Sequence, residues 1–165
     1  MIFVFTGSSI LTWLESSSLA LFFRQSVWMY PILEIVHIAG FSVLVGAAIL
    51  FDLRLLGFSK NLPVTECIRH MLFWARLSFW AVLPSGIILF IVDATGMASN
   101  PAFILKLVLI GIAIVNAFIF HRYTLKTVDV WNKNETAPVS AKIAGITSIL
   151  LWLAVISCGR LIAYI

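Results

Sequence analysis

The stretch from Pro31 to Gly57, PILEIVHIAGFSVLVGAAILFDLRLLG, constrains this chain most, because its middle from Ile38 to Phe51 carries no charge. As an α-helix rising 1.5 Å per residue it is long enough to cross a hydrocarbon core of ~30 Å. A helix satisfies its own backbone polar groups in lipid, so the stretch reads as a spanning helix. Comparable apolar runs follow at 64–92, 101–123 and 140–164. A soluble core could hide one such helix, but hardly the three that follow. Charged residues make up only 11% of the 165, against ~25% in ordinary globular domains, and the mean hydropathy is +1.09. The expected fold class is all-α: an integral membrane bundle of four transmembrane helices preceded by a short amphipathic interfacial helix, with residues 1–165 forming a single domain.

Residues 8–24 supply the interfacial helix. TGSS offers a start at Ser8 or Ser9, and the apolar positions from Ile10 onward are interrupted by Glu15 and three serines. A charge in mid-span is costly, whereas a helix lying in the interface tolerates it. Trp28 and Tyr30 then read as an aromatic anchor, and Pro31 as a first-turn proline. Gly57 ends the first span, and Pro84 with Gly86 predicts a bend in the second. DATGMASNP reads as a loop, with Asn100 capping the third span ahead of Pro101, and DVWNKNETAP as a polar connector. No basic stretch precedes the first apolar residues and no small-residue cleavage pattern follows them, so cleavage of a signal peptide is not expected.

Basic residues give the orientation. Arg54, Lys60, Arg69, Arg76, Arg122, Lys126, Lys133 and Lys142 flank the connections 57–63 and 124–139, which places those loops in the cytoplasm and both termini on the periplasmic or external side of a bacterial inner membrane. The bases lie between apolar helices and form no stripe interleaved with exposed aromatics, so the lipid bilayer, not nucleic acid, is the partner. Cys67 and Cys158 stand too far apart to suggest a thiol metal motif or a disulfide framework.

Charges inside lipid pair, face the bundle or reach for an interface. Sorted by depth, Glu34, His37, Asp93, Lys106 and Arg160 form one layer, and Asp52, Arg54, His70, Arg76, His121 and Arg122 the other. The plainest structural expectation pairs Lys106 with Glu34 or Asp93, and Asp52 with Arg76 or Arg122. The histidines add chemistry, because neutral imidazole ligates iron or copper. His37 lies one turn from Glu34, and its metal partner would be itself alone or a thioether such as Met29 or Met97. His70 and His121 form a second candidate pair, at the start of one helix and the end of another. Lys106 and Arg160 suit the carboxylates of a porphyrin, and a Glu34–His37 pair with Lys106 opposite suits proton movement or an anionic group.

WMYPILEIVHIAG, DLRLLG, NPAFILKLVLIGIAIVNAFIFH and SILLWLAVISCGRLIAY, in that order, resemble an uncharacterised family of small four-helix bacterial membrane proteins. A wider similarity is to the CopD copper-resistance membrane domain and to the HemJ type of protoporphyrinogen oxidase. The positions that carry it are His37, Arg54 and Lys106, and it implies haem b as the cofactor.

The leading functional expectation is therefore a small b-type haem protein in electron transfer or oxidase-type redox chemistry. His37 is the first-choice ligand, the pair His70 and His121 the second, Lys106 and Arg160 the propionate partners, and Lys106 with Glu34 the catalytic candidates; a quinone or another redox partner is implied. One alternative is a transporter or permeation protein for copper, protons or a small anion. Another is a non-catalytic bundle or partner subunit, in which Gly40, Ala47, Gly111 and Ala117 would support a homo-oligomer.

Overall fold

The structure, a computed structural model, describes residues 5–165. Four of its helices are long and apolar enough to cross a membrane, and short helices precede them. In chain order the elements are α1 (Phe5–Glu15), α2 (Ser18–Gln25), α3 (Met29–Leu56), α4 (Val64–Val92), α5 (Ala94–Ser99), α6 (Pro101–Arg122), α7 (Val128–Trp131) and α8 (Val139–Leu161), with a 3₁₀ turn at Thr124–Thr127. The long helices are α3, α4, α6 and α8, and the 28 residues of α3 span ~42 Å.

Local chemistry fixes the helix ends. The Asn100 side chain accepts from the amides of Ala102 (2.9 Å) and Phe103 (3.2 Å), and Pro101 follows it, so α6 starts as its sequence predicts. α3 ends at Gly57, whose φ of +104° is open to glycine at little cost; the Gly57 and Phe58 amides then return to the carbonyls of Arg54 and Leu53. α4 continues through Pro84 as one helix, the Trp80 carbonyl losing its usual amide partner there. Serines inside the spans turn their hydroxyls back onto the preceding turn, Ser42 onto Ile38, Ser78 onto Trp74 and Ser157 onto Leu153, which leaves no hydroxyl proton facing lipid.

The amino-terminal segment differs from expectation in one respect. The interfacial stretch is two helices, broken at Ser16 and Ser17, where the Ser17 side chain caps α2 by accepting from the Ala20 amide at 3.2 Å. With 11 and 8 residues, neither is long enough to span ~30 Å. Both lie across one end of the bundle, α1 against α5 and α4, α2 against α4 and α3. Residues 1–4 lie outside the described residues. Two connections expected as loops also carry structure. ATGMAS forms α5, and the connection 124–139 forms the 3₁₀ turn and α7, because Val128 and Trp131 share a helical face that packs on the bundle. Trp131 is buried with Leu55, Val64, Phe120, Ala137 and Ala141 in the main core cluster.

α3 is the central helix, packed against α4 on one side and α8 on the other, and α6 packs on α8. Small residues let the backbones close. A Cβ on Gly40 would lie 3.0 Å from Val82 of α4, and one on Gly145 would lie 3.3 Å from the Asp52 carbonyl oxygen of α3. Gly40 and Ala47 thus serve contacts within the bundle, while a Cβ on Gly111 would meet open space. The connections 57–63 and 124–139 meet at one end, the basic end, through the Val64 amide to the Asn132 carbonyl and the Asn134 amide to the Lys60 carbonyl. The other end, the terminal end, gathers α1, α2, α5 and the carboxyl terminus; there Arg24 donates to the Val92 carbonyl and Asn100 to the carbonyls of Ile162 and Ile165.

Candidate functional site

α4 and α6 flank the α3–α8 pair without packing on each other along their length. Near the terminal end the rings of Phe90 and Phe103 stack across them, 5.6 Å apart and 13° from parallel. Below that stack the space between them is a cleft of about 1160 Å³, larger than the ~300–1,000 Å³ of most small-molecule sites. Leu83, Ile87, Leu107 and Ile114 both line it and are exposed on the bundle surface, so it opens sideways between α4 and α6, toward lipid. Its floor is a helical stripe on α3 that runs from Tyr30, Glu34, His37 and Phe41 to Phe51 and Asp52.

In the terminal half, the imidazole of His37 is the most defined polar group. Its Nδ1 lies 3.1 Å from the Val82 carbonyl oxygen and 2.9 Å from Ser85 Oγ. A carbonyl only accepts, and the Ser85 hydroxyl donates to the Ala81 carbonyl at 2.6 Å. Nδ1 therefore carries the proton, and Nε2 presents a lone pair. The ring lies flat against α4 because residue 86 is glycine: a Cβ there would stand 2.9 Å from His37 Cε1. Lys106, half-buried one and a half turns into α6, holds its ammonium 5.7 Å from the centre of the Phe41 ring. Gly159 of α8 leaves it room, a Cβ there lying 3.8 Å from Nζ. Glu34 hydrogen-bonds to the Tyr30 hydroxyl, and Met97 of α5 lines the same end.

The expected ion pairs are absent. Among the described residues the salt bridge found is Arg69 with Glu66, 2.5 Å apart on the exposed start of α4. Lys106 therefore does not pair with Glu34 or Asp93; the Asp93 carboxylate is folded over the first turn of α5, where a Cβ on Gly96 would collide with it. Asp52 does not pair with Arg76 or Arg122. It is held in the α3–α8 seam at 5% exposure with Ser148 as its hydrogen-bonding neighbour, while Arg122 lies over the Tyr123 ring and both arginines are exposed. Arg54, 3% exposed, donates from Nε to the Leu62 carbonyl (2.7 Å) and from Nη2 to those of Lys60 (3.2 Å) and Asn132 (3.1 Å). Asp52 Oδ2 and Arg54 Nη1 are buried without hydrogen-bond partners.

The other candidates scatter. His70 is exposed outside the cleft and accepts from Trp74 Nε1 at 3.3 Å. His121 sits at the basic end of the cleft, its Nδ1 donating to the Ala117 carbonyl at 2.8 Å. Their helices, α4 and α6, are kept apart by the α3–α8 pair, so the packing that would bring the two imidazoles level is missing. Arg160 bonds the Tyr164 hydroxyl at 2.5 Å and lies over that ring, outside the cleft lining. Sequence reasoning missed Ser85, Gly86 and Asn116. Only Gly86 left a signal, as a small residue just after a helix-breaking proline.

The terminal half brings together residue types that would hold a haem. They supply an imidazole whose proton is anchored on the far nitrogen, aromatic walls at Phe41, Phe90 and Phe103, and a cation at Lys106 for a propionate. No group of three or more His, Cys, Asp or Glu side chains is placed to hold a bare metal ion among the described residues.

Residues 10–165 match the family described as "Family of unknown function (DUF6644)". The chain belongs to this family. No curated protein and no solved structure matches it. The match spans the α2–α8 scaffold and all of the cleft-lining residues, so the cleft lies wholly within the family's shared region.

Proposed function

We propose that this DUF6644 member is a small b-type haem protein of the bacterial inner membrane, with His37 as axial ligand in the terminal half of the cleft. The observation that carries the reading is the tautomer of His37: Nδ1–H is committed to Val82 and Ser85, which leaves Nε2 as a ligand without a hydrogen-bond partner. A porphyrin brings four of the iron's ligands itself, so one imidazole suffices, whereas copper alone would call for a cluster of protein ligands. Met97 lines the same end of the cleft, and its thioether would be a further ligand for the iron. When bound, haem would supply one-electron redox chemistry. The chain's own residues orient the imidazole through α4, exclude water with the Phe90–Phe103 stack, and place the Lys106 charge where a carboxylate would be met. The concentration of Lys and Arg on the basic end turns that end to the cytoplasm.

The test is the absorption spectrum, oxidised and dithionite-reduced, of detergent-purified protein expressed with ample haem. A Soret band with reduced α and β bands is expected in the wild type and in His70→Ala, and is expected to be lost in His37→Ala. A colourless wild-type protein, or full haem content in a folded His37→Ala variant, would overturn the proposal.

A further inference from the structure

The haem reading uses one half of the cleft and leaves the other unexplained. Toward the basic end, ~22 Å from His37 along α3, the cleft is lined by Asp52, Arg76, Asn116, His121 and Ser148, set among Phe51 and Phe120. Asp52 is the anomaly. It is 5% exposed, has no cation partner, and its Oδ2 has no hydrogen-bond partner of any kind. An isolated carboxylate inside a lipid-embedded bundle is among the costliest groups a protein can bury, and it relieves that cost by keeping its proton. Among the residues that line the cleft, Asp52 is thus a hydrogen-bond donor whose second oxygen is answered by no group of the bundle.

The surrounding polar groups narrow the acceptor's chemistry. The Asn116 amide nitrogen donates to the Ala144 carbonyl at 3.0 Å, which leaves its oxygen to accept. The His121 Nδ1 proton goes to the Ala117 carbonyl, which leaves Nε2 to accept. Arg76, exposed at the mouth, is the one charged side chain on this part of the lining apart from Asp52. Donor and acceptors thus stand around an otherwise apolar space, a pattern matched to a neutral head with both carbonyl and hydroxyl forms rather than to an anion. Phe51 and Phe120 meet edge to face, 5.6 Å apart at 73°, and offer aromatic surfaces to a ring. From there the cleft runs on between α4 and α6, where exposed Phe79 and Ile114 open it to the acyl chains.

We infer that the basic-end half of the cleft is a second binding site, for a lipid-soluble quinone-class ligand that enters sideways from the bilayer, with the Asp52 carboxyl donating a hydrogen bond to a ring carbonyl. The ligand's tail lies along the cleft toward α4 and α6, and Ser148 holds the Asp52 carboxyl in place. The site does not depend on His37.

The experiment titrates decylubiquinone into the detergent-purified protein, reads quenching of tryptophan fluorescence, and compares Asp52→Leu with Asp52→Asn. Saturable binding is expected in the wild type and in His37→Ala. Asp52→Asn keeps a donor and should bind within about threefold. Asp52→Leu removes it and should weaken binding by about tenfold, the effect of one hydrogen bond. Removing an unpaired buried carboxyl in favour of an apolar group leaves the fold intact, so Asp52→Leu should keep the wild-type thermal midpoint; if it does not, the infrared band decides. The carboxylic C=O stretch should be present in the wild type, absent in Asp52→Asn, and shifted to lower frequency by decylubiquinone. No saturable binding to the wild type, wild-type affinity in Asp52→Leu, displacement of decylubiquinone by equimolar palmitate, or a carboxyl band indifferent to the quinone would each overturn the inference. Loss of haem in His37→Ala with quinone binding retained separates this site from the haem proposal.

Discussion

Arg54 is the point at which the basic end of the bundle should come apart. Its guanidinium, buried at 3% exposure, joins three carbonyls outside the helices, those of Leu62 and Lys60 in the turn before α4 and that of Asn132 after α7, the last two of which also accept the amides of Asn134 and Val64. Hydrogen bonds from a charged donor contribute ~1.5–3 kcal/mol each, so the set contributes ~4–5 kcal/mol at the lower end of that range. Against this stands Nη1, buried without a partner, and the burial of a cation with no counter-ion, which together take back ~2 kcal/mol. Arg54→Met keeps the volume and loses all of these bonds, with a net destabilisation of ~2–3 kcal/mol. Arg54→Lys keeps the charge but cannot span the fork, so it should recover at most one of the bonds. Thermal unfolding in detergent reads the stability, and limited proteolysis reads its location: cleavage should appear at 58–63 and 132–138 before the helices melt. If Arg54→Met unfolds at the wild-type temperature with those loops still protected, the guanidinium is not what fastens them.

Other outcomes follow from single contacts. Gly145→Val would press a branched side chain onto the Asp52 carbonyl, 3.3 Å from where its Cβ must sit; overpacking of this kind costs ~1–3 kcal/mol, and the loss should appear in detergent unfolding, whereas Gly111→Val, which meets open space, should be neutral. Glu15 accepts from the Thr95 amide at 2.6 Å, and that bond, then the Thr95 side chain and the Arg24 charge, hold its carboxyl below the usual range against a smaller opposing effect of burial. A carboxyl depressed on folding stabilises α1 on α5 above its unfolded pKa and loses that effect as pH falls through the folded value, so the protection of the Thr95 amide relative to its intrinsic exchange rate should fall on acidification in the wild type and be low and independent of pH in Glu15→Ala. Reporters fused at the amino terminus and inserted within 130–137 should give signals from opposite sides of the membrane, and same-side signals would refute α1 and α2 as surface helices.

The bundle was legible because lipid imposes a one-dimensional rule: a long uncharged run must be a helix, and α3, α4, α6 and α8 fall within a few residues of the apolar runs that announced them. The caps at Asn100 and Gly57 were legible for the same local reason. The short elements were not. ATGMAS has no apolar period to mark it as a helix, and Trp131 is drawn into the core by contacts with α3, α4 and α8 that only the tertiary fold supplies. Of the site, His37, Glu34 and Lys106 were visible as polar residues in the wrong solvent, and they do line one cleft. The gap between α4 and α6 was not visible, because it comes from which helices decline to pack, and each helix is apolar all round.

The sequence DLRLL shows why ion pairing was the wrong expectation. Asp52 and Arg54 are both buried, two residues apart, and opposite in sign. On a helix two positions differ by about 200°, so they point to opposite sides of α3 and cannot neutralise each other. Each is left to settle with what lies on its own side. Arg54 meets the carbonyls of the turns where helices end and begin, and its charge is absorbed by those dipoles. Asp52 meets the α8 seam and the cleft, where one hydroxyl answers it and an oxygen is left over. Arg54 is therefore explained by the architecture alone. Asp52 is not: a leucine in its place would pack the seam without the desolvation cost, so its presence points to what enters the cleft.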